Sequence, residues 1–174
     1  MPGQDGARAS WRNIGDNGAA VAARASLETT PTTVVPSTIR TGVPTDSLAI
    51  GRIGELGENA LRAGLVRDEF VSQARLTVTL DDGSTFVVIP DFLERAGTAA
   101  NGRVQLVYRE SKASTIATPS IEQLTDNQAR FVDAILNGRI QSIQTSNSDL
   151  ISLAGGTDNF DVIGFELNVF DVIE

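Results

Sequence analysis

Residues 104–112 have the sequence VQLVYRESK, which predicts a key strand of this chain's fold. Apolar side chains stand at every second position up to Tyr108, which predicts a strand with one buried face. Glu110 and Lys112 continue that face, so the strand passes from apolar packing into two opposite charges. Because unpaired charge at a buried position is costly, these two residues need partners.

The patterns on either side of the strand predict an α/β domain that begins near residue 46. Asp82-Gly83 is a hairpin turn between two strands, and Pro90 halts the second of them. The residues after Asp91 are expected to form a turn or a short helix. The predicted elements are helix 48–65, strands 75–80, 85–89 and 104–112, helix 121–136, strand 139–143 and further β structure within 157–174. This order is αβββαβ with additional β structure at the C-terminus.

The segment before this domain has a different composition. Residues 1–25 are rich in Gly, Ala, Asn and Asp, and residues 26–44 are rich in Thr and Pro. Such compositions are typical of extended linkers. We expect residues 1–45 to be a flexible N-terminal segment and residues 46–174 to form the domain.

The composition of the 174 residues excludes several kinds of catalytic site. The chain contains no Cys and no His, so disulfides, zinc–thiolate sites and imidazole bases are excluded. Of the 14 cations, 13 are Arg and one is Lys112. Lysine provides a compact charge whose pKa can shift, which arginine does not. The position of the single lysine is therefore informative.

The net charge of -8 argues against a protein that coats nucleic acid. Its distribution along the chain is uneven, since residues 141–174 contain six anions and no cation. Residues 48–140 contain twelve anions and ten cations. The acidity therefore lies mainly in the C-terminal part, and it does not exclude an enzyme that cuts nucleic acid.

The candidate chemical site combines carboxylates with Lys112. Asp91 follows the second strand, and Glu110 and Lys112 share one face of the third. Carboxylate oxygens suit Mg²⁺ or Mn²⁺, and we expect Asp91 and Glu110 to be metal ligands together with Glu55. Lys112 would orient a water or stabilise charge on a phosphate. The alternative is that Glu110 and Lys112 are only a surface pair on an exposed strand end.

The helix contribution to this site has two candidates. Gly51, Gly54 and Gly57 stand three residues apart, which predicts very close packing of the helix. Glu55 is favoured over Glu58 because Gly54 beside it permits approach to the sheet. Either glutamate could instead be a solvated residue that pairs with a helix arginine.

A resemblance to a known family rests on these residues. Pro90-Asp91 followed by Glu110-Ser111-Lys112 resembles the PD-(D/E)xK, or restriction-endonuclease-like, nucleases, and Gly54-Glu55 resembles their helical Gly-Glu element. Residues 124–128, LTDNQ, are similar to the Leu-Thr-x-x-Gln segment of nuclease domains in bacterial polymorphic and contact-delivered toxins. The resemblance implies a mixed central sheet flanked by helices, and it covers about residues 48–140. It also places Gln128 near the site, although Thr125-x-x-Gln128 is equally explained as a capping box.

The resemblance implies a metal-dependent nuclease, most simply an antibacterial DNase with an immunity protein as partner. Its catalytic residues would be Asp91, Glu110, Lys112 and Gln128, and its metal ligands Glu55, Asp91 and Glu110. Such a protein would be soluble and secreted or delivered into a target bacterial cytoplasm. The alternatives are a cytoplasmic restriction or repair nuclease of the same superfamily, and a non-catalytic interaction module. The sequence leaves open whether DNA or RNA is the substrate.

Overall fold

The computed structural model describes residues 18–116 and 119–174, which form four helices and eight strands. The fold is α/β with a mixed sheet and a long C-terminal strand, as predicted. The helices are α1 (18–29), α2 (Ile50–Ala63), α3 (Asp126–Leu136) and α4 (Ser148–Ala154). The strands are β1 (Thr33–Arg40), β2 (Phe70–Ser72), β3 (Leu76–Leu80), β4 (Thr85–Val88), β5 (Phe92–Thr98), β6 (Val104–Ser114), β7 (Ile140–Thr145) and β8 (Phe160–Ile173).

The strand predicted from VQLVYRESK is β6, and it lies at the centre of a five-stranded sheet. The strand order is β1-β8-β6-β5-β2. β6 runs antiparallel to β5 and parallel to β8, and β8 runs parallel to β1. Leu106 and Tyr108 are fully buried, which agrees with the predicted apolar face. The chain travels from β6 through α3, β7 and α4 before it returns as β8, since parallel neighbours need a long crossover.

The predicted hairpin at Asp82-Gly83 lies outside this sheet. β3 and β4 pair antiparallel around a Gly83 with φ of 82°, and β7 pairs with the other edge of β3. These three strands form a separate sheet of order β4-β3-β7. The expected series of three consecutive strands in one sheet is thus divided between two sheets, and an additional strand, β5, separates β4 from β6.

The turn or short helix expected after Asp91 is instead strand β5. Its residues do not alternate in polarity, so periodicity gave no indication of a strand. Phe92 and Leu93 are both buried, because the two faces of β5 pack against different hydrophobic clusters at the start of the strand. Burial on both faces removes the alternation that identifies a half-exposed strand.

The flexible N-terminal segment is also corrected, for its described part. α1 buries Ala20, Ala23 and Leu27, whose spacing is helical, and β1 pairs with β8 along its whole length. The Thr- and Pro-rich composition predicts a linker here, and β1 has no apolar pattern because its side chains, apart from Ile39, are exposed on both faces. Main-chain pairing holds such a strand without any hydrophobic pattern. Residues 1–17 lie outside the described part of the chain.

α2 lies across β6, and one of its three glycines makes the predicted close approach. A Cβ on Gly57 would stand 2.8 Å from Ser111 Oγ and 2.9 Å from Ala113 Cβ. A Cβ added at Gly51 or Gly54 would have no atom within 4 Å. The helix therefore touches the sheet one turn later than Gly54, and this shift decides which glutamate faces the site.

The predicted second helix and C-terminal β structure are present with modified bounds. Residues Ile121–Gln123 form a short 3-10 turn, and α3 begins after Thr125. The acidic C-terminal part forms β8, which is a central strand rather than an addition at the sheet's edge. α4 was not predicted. In the described residues, no helix is long and apolar enough to cross a membrane.

Candidate active site

The candidate site lies where β5 and β6 separate. Pairing between these strands begins at Phe92 and Arg109, so β6 continues from Glu110 onward with β8 on one side only. The free edge of β6 faces Asp91, which immediately precedes β5. A cleft of about 490 Å³ opens there, and its lining includes Asp91, Glu110, Lys112 and Gln128. The structure thus brings together residues from three separate segments of the chain.

Glu110 is the buried centre of this cleft, with 1% of its surface exposed. Its Oε2 accepts a hydrogen bond from Tyr108 Oη at 2.5 Å. Its Oε1 accepts one from Gln128 Nε2 at 2.9 Å and lies 3.2 Å from Lys112 Nζ. Burial raises the pKa of Glu110 to about 7, and the negative charge of Asp91 adds to this effect. Glu110 is therefore a carboxyl group that exchanges its proton near neutral pH.

Asp91 is held by groups from two directions. Ser111 N donates to Asp91 Oδ2 at 2.9 Å, so a main-chain group on the free edge of β6 is satisfied by a side chain. Gln73 Nε2 donates to Asp91 Oδ1 at 3.1 Å. Asp91 N in turn donates to Glu110 Oε2 at 3.4 Å. The two carboxylates are thereby fixed relative to each other, and only 8% of Asp91 is exposed.

Lys112 and Gln128 connect β6 to α3. Lys112 Nζ donates to Gln128 Oε1 at 3.4 Å in addition to its ion pair with Glu110. The same Gln128 Oε1 accepts from Thr125 N at 2.9 Å, and Thr125 Oγ1 accepts from Gln128 N, which completes the predicted capping box. Gln128 therefore closes the helix and contacts Glu110 at once. The two interpretations of this residue are compatible.

Glu55 is not brought into the cleft, whereas Glu58 is. Glu55 is exposed and pairs with Arg52, with its Oε2 at 3.1 Å from the arginine Nη1. Glu58 is half-buried and lines the cleft beside Asp91. Burial raises the pKa of Glu58, and the negative charge of Asp91 adds to this effect. The helix touches the sheet at Gly57, so the residue next to the contact is Glu58.

Gln73 lines the same cleft and was not found from the sequence. It lies between β2 and β3 with φ of 57°, in the left-handed region that side chains rarely adopt. This conformation costs about 1–2 kcal/mol for a residue other than Gly. A single glutamine between two short strands forms no pattern, so its role depends on the pairing of β2 with β5, which the sequence does not reveal.

The mouth of the cleft is apolar. Ile50, Ile89 and Ile116 line it with 89%, 44% and 95% of their surfaces exposed. Lys112 is the one cation among the described residues that line the cleft, against three carboxylates. The acidic floor and apolar rim distinguish this cleft from a basic groove that binds nucleic acid along its backbone.

The carboxylate oxygens that line the cleft are suited to a hard divalent cation such as Mg²⁺, and less suited to a metal held entirely by protein side chains. Among residues 18–116 and 119–174, no three His, Cys, Asp or Glu side chains are grouped to hold a metal ion. Mg²⁺, however, commonly uses one or two carboxylates and completes its octahedron with water and substrate oxygens. Asp91 and Glu110, which both line the cleft, supply such a pair. The residues present thus fit Mg²⁺ or Mn²⁺.

Comparisons of the chain with known protein families, with curated proteins and with solved structures find no match. The residues and geometry of the cleft are therefore the basis on which a function can be argued.

Proposed function

We propose that this protein is a metal-dependent nuclease that hydrolyses phosphodiester bonds, with DNA as the substrate. The single observation that carries the proposal is the convergence of Asp91, Glu110 and Lys112 in one cleft. A buried carboxyl pair with a lysine at its border is more than a surface ion pair, because Glu110 is almost fully buried and makes contacts to three other side chains.

The proposed cation ligands are Asp91 and Glu110. Burial raises the pKa of Glu110 and the charge of Asp91 raises it further, so a divalent cation held by both carboxylates would offset part of this electrostatic cost. Glu58 from α2 faces the same space and replaces Glu55 as the helix candidate. When bound, the cation would polarise the scissile phosphate and lower the pKa of an attacking water.

The chain's own residues would orient the reaction around that pair. Lys112 Nζ carries a positive charge at the border of the cleft, where it can neutralise charge that develops on a phosphate oxygen. Gln128 holds both Lys112 and Glu110 through one carboxamide. Tyr108 donates to Glu110 from the protein interior and keeps that carboxyl group in one orientation. The site would thus be preorganised before substrate binds.

The biological setting that we propose is an antibacterial effector domain with an immunity protein as partner. Its support is the similarity of residues 124–128 to the corresponding segment of toxin nuclease domains. A restriction or repair nuclease of the same superfamily would use the same chemistry in a different setting. Growth arrest on expression, relieved by Lys112→Ala, would favour the effector over an enzyme that its host tolerates.

The proposal is tested by incubating the purified chain with plasmid DNA in Mg²⁺ or Mn²⁺, and in EDTA. We expect cleavage that EDTA abolishes and that falls about 100-fold or more in Lys112→Ala, Glu110→Ala and Asp91→Asn. Arg67→Ala, which removes an exposed cation outside the cleft, is the matched control and should cut like wild type. An RNA substrate run in parallel identifies the nucleic acid. Intact DNA and RNA with the wild type would refute the nuclease, and equal cutting by wild type and the three variants would show that the proposed site is wrong.

A further inference from the structure

Gln73 contacts Asp91 twice, once through its main chain and once through its side chain. Gln73 N donates to the Asp91 carbonyl oxygen at 3.0 Å, which extends the ladder of β2 and β5 by one step. Gln73 Nε2 donates to Asp91 Oδ1 at 3.1 Å. Any residue could make the first contact, whereas the second requires a side-chain donor of suitable length.

The identity of residue 73 is not explained by the backbone or by packing. Its φ of 57° favours Gly, so a glutamine is conformationally unfavourable at this position. Residue 73 is also exposed, so no contribution to the core compensates for the strain. The hydrogen bond from the side chain of Gln73 to Asp91 is therefore what accounts for a glutamine at this position. Strain of this kind is found where the surrounding structure and the function of a site require a particular side chain.

The geometry around Asp91 shows what the contact does. Ser111 N fixes Oδ2 and Gln73 Nε2 fixes Oδ1, so the two oxygens are each held by a donor from a different strand segment. The plane of the carboxylate is thereby set, along with the direction of its remaining lone pairs. A ligand carboxylate that is oriented in this way loses little freedom when it binds a cation.

We propose that Gln73 is a positioning residue, which orients Asp91 for the divalent cation and substrate of this cleft. The inference rests on the proposed function for both its cation and its substrate. Gln73 itself touches neither the cation nor the reacting phosphate; it acts through Asp91.

Two substitutions separate the side chain of Gln73 from its backbone. Gln73→Ala removes the carboxamide but keeps the backbone strain, because alanine still has a Cβ. Gln73→Gly removes both the carboxamide and the strain. Asp68→Gly is the matched control. Apart from glycines, Asp68 and Gln73 are the two described residues with a positive φ, and Asp68, with φ of 68°, does not line the cleft. A purely structural role predicts that Gln73→Gly behaves like wild type or better.

The variants are compared by thermal melting, by titration with Mn²⁺ in a calorimeter, and by kcat and KM for DNA cleavage. We expect Gln73→Gly to melt at or above the wild-type temperature, yet to bind Mn²⁺ about 10- to 100-fold more weakly, as does Gln73→Ala. The loss in cleavage should appear in kcat at saturating DNA, with KM for DNA little changed. Asp68→Gly should keep wild-type Mn²⁺ affinity and kcat.

The outcomes separate this inference from the proposed function. Wild-type Mn²⁺ affinity in Gln73→Gly overturns the positioning role, whether or not the protein cuts DNA. A wild type that binds Mn²⁺ but leaves DNA and RNA intact refutes the nuclease, and the Mn²⁺ titrations still decide the role of Gln73. A wild type that neither binds Mn²⁺ nor cuts nucleic acid overturns both.

Discussion

Gln128 donates from Nε2 to Glu110 Oε1 over 2.9 Å, while the rest of its amide closes the first turn of α3. A single side chain therefore connects the start of a helix to the most buried carboxyl group of the cleft. The contact fixes the distance between α3 and β6 at this point. The stability of α3 and the properties of the cleft therefore both depend on Gln128. A substitution that keeps the cap but removes the donor to Glu110 can distinguish the two roles.

Gln128→Glu should damage the cleft and leave the helix cap intact. Glutamate is as good as glutamine at this position of a capping box, so we expect a change of less than about 1 kcal/mol in the free energy of unfolding. The donor to Glu110 is lost and a fourth carboxylate enters the cleft, so DNA cleavage should fall at least as far as in Gln128→Ala. Urea melts and plasmid cleavage measure the two effects. A Gln128→Glu variant that cuts like wild type would limit Gln128 to capping.

The stability of the metal-free protein should fall as the pH rises from about 4.5 to about 7. The folded protein holds the proton of Glu110 up to a pKa of about 7, above the ordinary value of 4.5, so over this range the native state binds more protons than the unfolded chain. The expected loss is about 2–3 kcal/mol, and Glu58 contributes in the same direction. Since the chain has no His, no imidazole masks the effect.

Glu110→Gln is the variant that tests this pH dependence. It keeps the shape of the side chain and has no proton to lose, so its free energy of unfolding should change much less between pH 4.5 and 7.5. Urea melts of both proteins in EDTA at several pH values provide the comparison. Parallel curves for wild type and variant would mean that Glu110 does not carry the buried proton.

The shared face of Glu110 and Lys112 was predictable because it follows from β6 itself. Alternation along the strand predicts that Glu110 and Lys112 lie on one face. Because a buried charge is costly without a partner, it also predicts that other polar groups lie near this end of the strand. Gln128 was predictable because a capping box has a fixed spacing. In each case the information is local, within a few residues of the chain.

The parts that sequence reasoning missed depend on pairing between distant segments. β5 is buried on both faces at its first two residues and largely exposed beyond them, and β1 is exposed on both faces, so neither strand shows alternation. Gln73 depends on β5, since it reaches Asp91 through the ladder that β5 forms with β2. The choice between Glu55 and Glu58 required the contact of Gly57 with β6, and three equally spaced glycines did not indicate which of them makes it.

Glu58→Gln should reduce activity where Glu55→Gln does not. Glu58 lines the cleft near Asp91, whereas Glu55 is exposed and pairs with Arg52 one turn earlier. The two variants remove one carboxylate each from the same helix, so they are matched in charge and in helix propensity. We expect weaker Mn²⁺ binding and slower DNA cleavage in Glu58→Gln, by about 10-fold, and wild-type values in Glu55→Gln. The reverse result would restore Glu55 as the helix ligand.

Gly57→Ala and Gly51→Ala should change stability in opposite directions. A Cβ at residue 57 would stand 2.9 Å from Ala113 Cβ, which is attached directly to the backbone of β6 and cannot rotate away. Overpacking of this kind costs about 1–3 kcal/mol, and it would move α2 and Glu58 away from the cleft. At Gly51 nothing lies within 4 Å, so alanine should stabilise the helix by up to about 1 kcal/mol. Urea melts compare the two variants with wild type. Equal stabilisation by both would show that α2 does not approach β6 as closely as Gly57 indicates, and the placement of Glu58 in the cleft would be wrong with it.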